Sequence, residues 1–300
     1  MTRHAILGAG SIGGLVGAGL AKQGDEVTLV VRPEKVKLYP RELKLESAFG
    51  NFSVPVKVAA EVDGGYDVLW ITTKATQLES ALQSVKKFDG LGAIVPLLNG
   101  IDHVALLRER YGKERVVPGT ISVESERVGP GHIVHHSSFS RLNVAASGQE
   151  RLGESVDKLS RFGMECKFVD NEATLMWSKL AFLAAYALST SAAGVSIGGV
   201  RDDAMSKARL HACIREACAV ALASGAIVDA ETMIRMVEGM SHKMQSSMQK
   251  DVAAGNTPEL DAIAGPILRG GEANDIGTPV TRELVAMIEE KMRTRMRRAS

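Results

Sequence analysis

Cysteine is scarce in this chain, and the cysteines present match no metal or redox motif. They are odd in number and lack the C-x-x-C spacing of zinc or dithiol sites, so buried free thiols are expected. The three positions are Cys166, Cys213 and Cys218. The histidines His132, His135 and His136 lie close together on a predicted strand, but no acidic or cysteine cluster accompanies them. The sequence therefore predicts no metal site.

The chain also lacks a strong net charge and a long apolar run. Its 36 Lys and Arg residues against 35 Asp and Glu residues give a net charge of +1, which indicates neither nucleic acid nor an acidic membrane surface as a partner. No apolar run approaches the roughly 18 residues that indicate a membrane span, and a strand predicted from residue 3 leaves no room for a signal peptide. We expect a cytoplasmic protein whose partner is a small molecule.

One apolar segment, residues 4–7, leads directly into a glycine-rich turn. The G-x-G-x-x-G pattern is typical of a dinucleotide site, because its glycines permit a tight turn, close approach of a diphosphate and close packing of the next helix. The N-terminus of that helix, predicted over residues 12–23, favours an anion. The predicted dinucleotide contacts are Gly8, Gly10, Ser11, Ile12 and Gly13. The alternative is a glycine-rich turn in an unrelated α/β domain.

An acidic residue is missing where an NAD site usually has one. The second predicted strand, residues 26–31, is followed by Arg32 and not by Asp or Glu, which would bind the ribose 2′-hydroxyl. A guanidinium suits the 2′-phosphate of NADP through charge-assisted hydrogen bonds. The sequence therefore predicts NADPH as the cofactor, with a solvated loop arginine as the alternative for Arg32.

Polar residues follow two further predicted strands, residues 66–74 and 92–98. Ligands of open α/β sheets bind beyond the carboxyl ends of the strands, so Lys74, Gln77 and Asn99 are expected to face the cofactor. The amide of Asn99 could orient either nicotinamide or substrate. The alternatives are a surface lysine at a helix start for Lys74 and an Asn-Gly turn for Asn99.

The pattern changes from mixed strands and helices to long helices near residue 170. We predict an α/β protein with a Rossmann-type NADP-binding domain over residues 1–169 and an all-helical substrate and catalytic domain over residues 170–300. Before the boundary we predict a strand at 52–58, a hairpin or meander from segments near 130–135 and 141–145, a helix at 150–162 and a strand at 166–169. After it, helices are predicted at 173–189, 203–224, 230–253, 260–270 and 279–297.

Three sites in the second domain suggest chemistry. Lys179 lies in the most apolar predicted helix, where an ammonium is either paired or has a lowered pKa. With Ser247 and Glu259 it could provide an acid, an oxygen binder and an orienting carboxylate.

At these residues the sequence resembles the ketopantoate reductase family, also called 2-dehydropantoate 2-reductases. Each motif alone is ordinary, whereas the series in this order is specific and covers nearly the whole chain. The motifs are Gly8-x-Gly10-x-x-Gly13, Thr73-Lys74-x-x-Gln77, Asn99-Gly100, Pro130-Gly131-x-Ile133-x-His135, Trp177-x-Lys179-Leu180, Ser246-Ser247-Met248-x-x-Asp251, Glu259-Leu260-Asp261 and Gly277-Thr278-Pro279.

The resemblance implies a role for each matching residue. Lys179 is then the general acid that protonates a ketone oxygen while NADPH delivers hydride, and Glu259 binds substrate and influences the charge of the lysine. Ser247 meets the substrate carboxylate, Asn99 positions the substrate, and Lys74 binds substrate or cofactor. A homodimer is a further expectation.

The sequence departs from the family at two positions. The family usually carries asparagines four and eight residues after the lysine, and this chain has Leu183 and Ala187 there. The favoured function is NADPH-dependent reduction of 2-dehydropantoate (ketopantoate) to pantoate in pantothenate biosynthesis. The alternatives are a reductase of the same family for another, more apolar 2-oxo acid, and a noncatalytic NADP-binding sensor, for which the combination of Lys179, Ser247 and Glu259 has no purpose.

Overall fold

The computed structural model describes residues 1–299, and their contacts divide the chain into two compact units. The first unit contains Met1–Leu98 and His103–Glu172. The second contains Asn99–Asp102 and the chain from Ala173 onward. The short segment Asn99–Asp102 thus belongs by contact to the helical unit, although it lies within the first unit in sequence. A single boundary, such as the one predicted at residues 169/170, does not describe this arrangement.

The strands of the first unit are β1 (Arg3–Leu7), β2 (Glu26–Val30), β3 (Glu42–Ser47), β4 (Phe52–Pro55), β5 (Lys57–Ala59), β6 (Val68–Ile71), β7 (Ala93–Pro96), β8 (Gly119–Gly129), β9 (His132–Ala145) and β10 (Glu165–Val169). Five of them form a parallel sheet in the order β5-β2-β1-β6-β7. Neighbouring strands are in parallel register, with Ala5 of β1 opposite Thr28 of β2 and Leu69 of β6. The apolar side chains of these five strands are buried, which explains their continuous rather than alternating hydrophobic pattern.

A second sheet has the order β10-β9-β3-β4, with β8 antiparallel to β9. The strand predicted at residues 52–58 is in fact two strands in different sheets, since β4 joins the second sheet and β5 the first. The predicted hairpin near 130–135 and 141–145 is also wrong, because both segments belong to the single strand β9. The turn lies at Pro130-Gly131, and β8 pairs with β9 at residues 132–135 and 140–144, on both sides of a register shift.

Helices complete the first unit. The predicted helix after the glycine-rich turn is α1 (Ser11–Lys22), and the one predicted at 150–162 is α4 (Gln149–Phe162). The other two are α2 (Leu78–Leu82) and α3 (His103–Tyr111). The mixed α/β organisation predicted from the sequence is confirmed.

The second unit consists of helices packed around an apolar core. Its helices are α5 (Glu172–Ala193), α6 (Ile197–Asp202), α7 (Ala204–Ala223), α8 (Ala230–Glu238), α9 (Ser247–Ala254), α10 (Leu260–Ala273) and α11 (Pro279–Ala299). The core contains the buried face of α5 and the thiols Cys213 and Cys218, both of which are free. Burial raises the pKa of these thiols to about 12 and about 11, so they stay protonated near neutral pH. Among the described residues, no helix combines the length and apolar character needed to cross a bilayer.

The prediction of one long helix at residues 230–253 is wrong. Two helices, α8 and α9, replace it, because Gly239 ends the first and the side chain of Ser246 caps the second. The methionines of this segment are therefore divided between two helices and the chain between them. Met233 and Met248 are buried, whereas Met236 is 50% exposed.

Candidate functional site

The glycine-rich turn joins β1 to α1 in close contact with β6. A Cβ added at Gly13 would lie 2.2 Å from the Gly8 carbonyl oxygen and 2.5 Å from Oγ1 of Thr72, so only glycine fits this position. At Gly10, by contrast, an added Cβ would have no heavy atom within 4 Å. The turn therefore combines tight packing on the sheet side with open space at its middle.

The start of α1 has the properties of an anion site. Gly10 occupies the N-cap without a side-chain hydrogen bond, and the first turn contains no acidic residue. Next to the turn, Oγ1 of Thr73 is buried and has no hydrogen-bond partner among the described residues. Free backbone N–H groups and the helix dipole favour a phosphate at such a position. This arrangement fits the diphosphate of a dinucleotide.

Tyr39 is a supporting residue of this turn that the sequence did not reveal. Its hydroxyl donates a hydrogen bond of 3.0 Å to the Ala9 carbonyl oxygen within the turn. The contact joins residues 30 positions apart, and no local sequence motif predicts it.

Arg32, Lys74 and Gln77 lie beyond the carboxyl ends of the strands next to β1. Arg32 follows β2 and precedes a short 3₁₀ helix, and Lys74 follows β6 and precedes another. All three side chains are exposed. Because β2, β1 and β6 are adjacent parallel strands, these residues are placed on either side of the glycine-rich turn, at the edge where α/β sheets bind ligands.

In the helical unit, a cluster of three polar side chains joins α5, α10 and the segment Asn99–Asp102. Nζ of Lys179 on α5 donates a hydrogen bond of 3.1 Å to Oδ1 of Asn99. Nδ2 of Asn99 in turn donates to Oε2 of Glu259, the residue before α10, at 3.0 Å. The amide of Asn99 thus orients the ammonium with its oxygen and the carboxylate with its nitrogen. The structure thus joins Asn99, which the sequence selected from the end of a strand, to Lys179 and Glu259, which the sequence grouped with Ser247.

The pKa of Lys179 reflects its surroundings in this cluster. Burial lowers its pKa to about 8, and the nearby Glu259 carboxylate opposes part of that shift. The side chain retains partial exposure, so a ligand can reach it. An amine with a pKa near neutrality can exist in both charge states at working pH and can therefore transfer a proton.

The segment that carries Asn99 is held against α10 by contacts that sequence reasoning missed. Gly100 has a φ of +86°, and a Cβ there would lie 2.4 Å from the Ala262 carbonyl oxygen. Asp102 accepts a hydrogen bond from Arg269 of α10, whose guanidinium also donates to Asp261 at 2.7 Å. These contacts join residues far apart in sequence, and only the Asn-Gly dipeptide hints at the close approach.

Replacing Gly100 by alanine is expected to destabilise the protein. The left-handed backbone costs about 1–2 kcal/mol for a residue with a Cβ, and the clash with α10 adds about 1–3 kcal/mol. Gly24→Ala is the matched control, because Gly24 has a φ of +87° with no atom within 4 Å of an added Cβ. Thermal unfolding should show a clearly larger fall in Tm for Gly100→Ala. Equal falls would show that α10 does not press on this segment.

The other positions considered for substrate recognition, Ser247, Leu183 and Ala187, differ from one another in exposure. Ser247 begins α9 with an exposed side chain, whereas its neighbour Ser246 is buried, caps the helix and lies 3.0 Å from Oγ1 of Thr190. Leu183 is half-buried, and Ala187 is fully buried in the core of the helical unit. The two positions that depart from the family pattern therefore differ in environment.

The histidines on β9 have protein partners. His132 Nε2 lies 2.9 Å from Oε1 of Glu46, and His135 Nδ1 lies 2.9 Å from Oγ of Ser47. Across residues 1–299, no group of three or more His, Cys, Asp or Glu side chains could hold a metal ion.

Comparison with known proteins gives matches over nearly the whole chain. The family models described as "Ketopantoate reductase PanE/ApbA" and "Ketopantoate reductase PanE/ApbA C terminal" match residues 4–148 and 172–292. The chain is 29% identical to an uncharacterized oxidoreductase, YkpB, of Bacillus subtilis (95% of this chain, 97% of YkpB). It is 28% identical to a 2-dehydropantoate 2-reductase of Caulobacter vibrioides (96% and 98%). A PanE/ApbA family ketopantoate reductase from Ralstonia eutropha superimposes with a TM-score of 0.86 at 27% identity (98% and 99%).

Proposed function

Since this chain belongs to the ketopantoate reductase family, we propose that it reduces 2-dehydropantoate to pantoate with NADPH, the reaction that supplies pantoate for pantothenate biosynthesis. Membership of the family makes it an oxidoreductase that acts on a CH–OH group, with a nicotinamide dinucleotide as cofactor. The observation that carries the finer proposal is the hydrogen-bonded series from Lys179 through Asn99 to Glu259.

The chemistry that NADPH supplies when bound is a hydride for C2 of the 2-oxo acid. As the C–H bond forms, the carbonyl π bond breaks and negative charge develops on the oxygen. The ammonium of Lys179 stabilises this charge and then transfers a proton to it, which leaves a neutral amine and a 2-hydroxy acid. Lys179 is suited to this step because its lowered pKa makes the ammonium a better acid than an ordinary lysine.

Asn99 and Glu259 position the acid. Asn99 accepts a hydrogen bond from Lys179, which directs the ammonium, and Glu259 holds the amide in that orientation. The carboxylate also favours the charged lysine, so the ammonium is available although it is largely desolvated. We propose that Ser247, whose hydroxyl is exposed, binds the substrate carboxylate.

On the cofactor side, the backbone at Gly8, Gly10, Ser11, Ile12 and Gly13 would hold the diphosphate, and Arg32 would bind the 2′-phosphate. The exposed guanidinium and the missing acidic residue after β2 support NADPH over NADH. Lys74 and Gln77 lie beyond the end of β6, where they could bind the cofactor, and Lys74 alternatively the substrate.

The lowered pKa of Lys179 predicts the pH dependence of the reaction. The ammonium is protonated below about pH 8, so the reduction should be fastest there and lose activity as pH rises, by about tenfold per unit well above the pKa. The reverse oxidation, which needs the neutral amine, should gain activity over the same range. Initial rates of both directions between pH 6 and about 10 provide the check. Parallel profiles for the two directions would contradict the assignment of Lys179 as the acid.

A second candidate function follows from Leu183, an apolar residue one helical turn after Lys179. It favours a 2-oxo acid with an apolar tail over one with a hydroxyl. Ketopantoate and 3,3-dimethyl-2-oxobutanoate differ only in that hydroxyl and form a matched pair of substrates. A higher kcat/KM for ketopantoate supports the proposed function, and a higher kcat/KM for 3,3-dimethyl-2-oxobutanoate, which lacks the hydroxyl, supports the second candidate. NADPH oxidation with neither contradicts both.

Replacing Leu183 by asparagine should raise kcat/KM for ketopantoate relative to kcat/KM for 3,3-dimethyl-2-oxobutanoate. A hydrogen bond to the substrate hydroxyl relieves an unpaired polar group, which is worth about 1–3 kcal/mol, or roughly five- to 150-fold. Leu183→Ala is the control, because it shortens the side chain without adding an amide. Equal ratios for the two variants would mean that other residues recognise the hydroxyl. Ala187→Asn is unsuitable for this test, since it places an amide in the core.

A further inference from the structure

The helical unit contains a cavity of about 820 Å³ that does not include Lys179, Asn99 or Glu259. It is formed by the end of α5, by α9 and by α11, and its lining includes Ser191, Gly194, Gln249, Lys250, Lys291 and Arg295. Ser191 follows Lys179 on α5 by 12 residues, which corresponds to about 18 Å along the helix axis. We propose that this cavity is a second ligand site, which binds a small organic anion.

Two buried polar side chains in the cavity lining have unmet hydrogen-bonding capacity. Oγ of Ser191 and Oε1 of Gln249 have no hydrogen-bond partner among the residues that the structure describes. The two residues are 1% and 5% exposed. Buried polar atoms in native proteins are almost always paired. Ser191 on α5 and Gln249 on α9 belong to two sides of the cavity, and a rotation of either side chain toward it would let a bound molecule supply the missing partner.

The charges around the cavity favour an anion. Lys250, Lys291 and Arg295 contribute three cations to the lining against the single carboxylate of Glu290. That carboxylate is already engaged by Arg293, at 2.9 Å. The ammonium of Lys291 is half-buried and has one hydrogen bond, of 3.3 Å, to the Ser191 carbonyl oxygen. An ammonium has three donors, so Lys291 retains capacity for an anionic group.

Apart from Gln245 and Thr294, the rest of the lining is apolar. Val252, Ala253 and Ala254 contribute one wall from α9. Ser247 and Asp251 lie one turn apart on the same face of α9, and neither residue lines the cavity. The proposed substrate residue Ser247 is therefore not part of it. A volume of this size is typical of sites for small organic ligands. The occupant is therefore expected to carry a carboxylate, sulfonate or phosphate on an apolar body.

A fluorescent organic anion, 8-anilinonaphthalene-1-sulfonate, serves as the probe. Titration into the full chain with saturating NADP⁺, which fills the dinucleotide site, should show one binding site. Lys291→Met should weaken this binding at least tenfold, and Ala253→Trp, which fills the cavity from an exposed position, should abolish it. Arg282→Met is the matched control, because Arg282 lies on the same helix and pairs with Glu272, and neither residue belongs to the lining. It should change the affinity less than twofold.

The uncharged analogue N-phenyl-1-naphthylamine tests the charge requirement, since it lacks only the sulfonate. It should bind at least tenfold more weakly than the anion to the unmodified protein and be insensitive to Lys291→Met. Two outcomes overturn the proposal. One is probe binding that survives Ala253→Trp unchanged. The other is equal weakening by Lys291→Met and Arg282→Met, in which case Lys291 only caps the end of α5. If Lys291→Met does not fold, Ala253→Trp decides alone.

Discussion

Replacing Lys179 by alanine is expected to lower kcat for ketopantoate reduction by about two to four powers of ten, the usual contribution of a positioned proton donor. The affinity for NADPH should stay nearly the same, because the glycine-rich turn and Arg32, which are proposed to hold its phosphates, lie in the other unit. The loss should appear in kcat and in kcat/KM together, as expected for an interaction made in the transition state. Steady-state kinetics with a separate measurement of cofactor binding checks both parts.

The same substitution should leave stability unchanged or increase it. Burial lowers the pKa of Lys179 from 10.5 in the unfolded chain to about 8, so the unfolded state binds more protons between these values and the buried ammonium disfavours folding at neutral pH. Lys207→Ala is the control, since Lys207 is a half-exposed lysine of the same unit in an ion pair of 3.1 Å with Glu238. It should keep kcat. A Lys179→Ala protein that stays active but unfolds more easily would show that Lys179 has only a structural role.

Replacing Arg32 by glutamate should reverse or remove the preference for NADPH. Each lost charge-assisted hydrogen bond to the 2′-phosphate costs about 1.5–3 kcal/mol, which corresponds to more than tenfold in kcat/KM, and the new carboxylate repels the phosphate. NADH has no 2′-phosphate, so kcat/KM for NADH should change far less. The measurement is kcat/KM for both cofactors with the unmodified protein and the variant.

Arg127→Glu is the matched control for Arg32→Glu, because it makes the same change of charge at an exposed position of β8, in the other sheet of the first unit. It should change kcat/KM for NADPH and kcat/KM for NADH equally and only slightly. Equal kcat/KM values for NADPH and NADH in the unmodified protein would contradict the role given to Arg32.

Local rules predict those parts of the fold that local chemistry determines. The glycine-rich turn, the apolar parallel strands and most long helices follow from periodicity and from glycine positions. The failures are at sites where distant partners decide. Strand β9 is one strand that pairs with β8 on both sides of a register shift. The helix predicted at 230–253 ends at Gly239, and a new helix begins where Ser246, which contacts Thr190, caps α9.

The candidate site shows the same division. The sequence selects Lys179, Asn99 and Glu259, but the order of their hydrogen bonds depends on contacts across up to 160 positions of the chain. Contacts such as that of Gly100 with the Ala262 carbonyl leave no periodic signal. The burial of Ala187 likewise depends on neighbouring helices and not on its spacing from Lys179.

Isotope transfer tests the central claim most directly, namely that this chain moves hydride from NADPH to a 2-oxo acid with Lys179 as the acid. The unmodified protein and Lys179→Ala are incubated with ketopantoate and NADPH deuterated at both C4 positions, and the product is analysed by mass spectrometry. We expect pantoate with one deuterium at C2 from the unmodified protein, formed at least a hundredfold more slowly by the variant. Pantoate without deuterium, no pantoate at all, or equal rates for the two proteins would contradict the account.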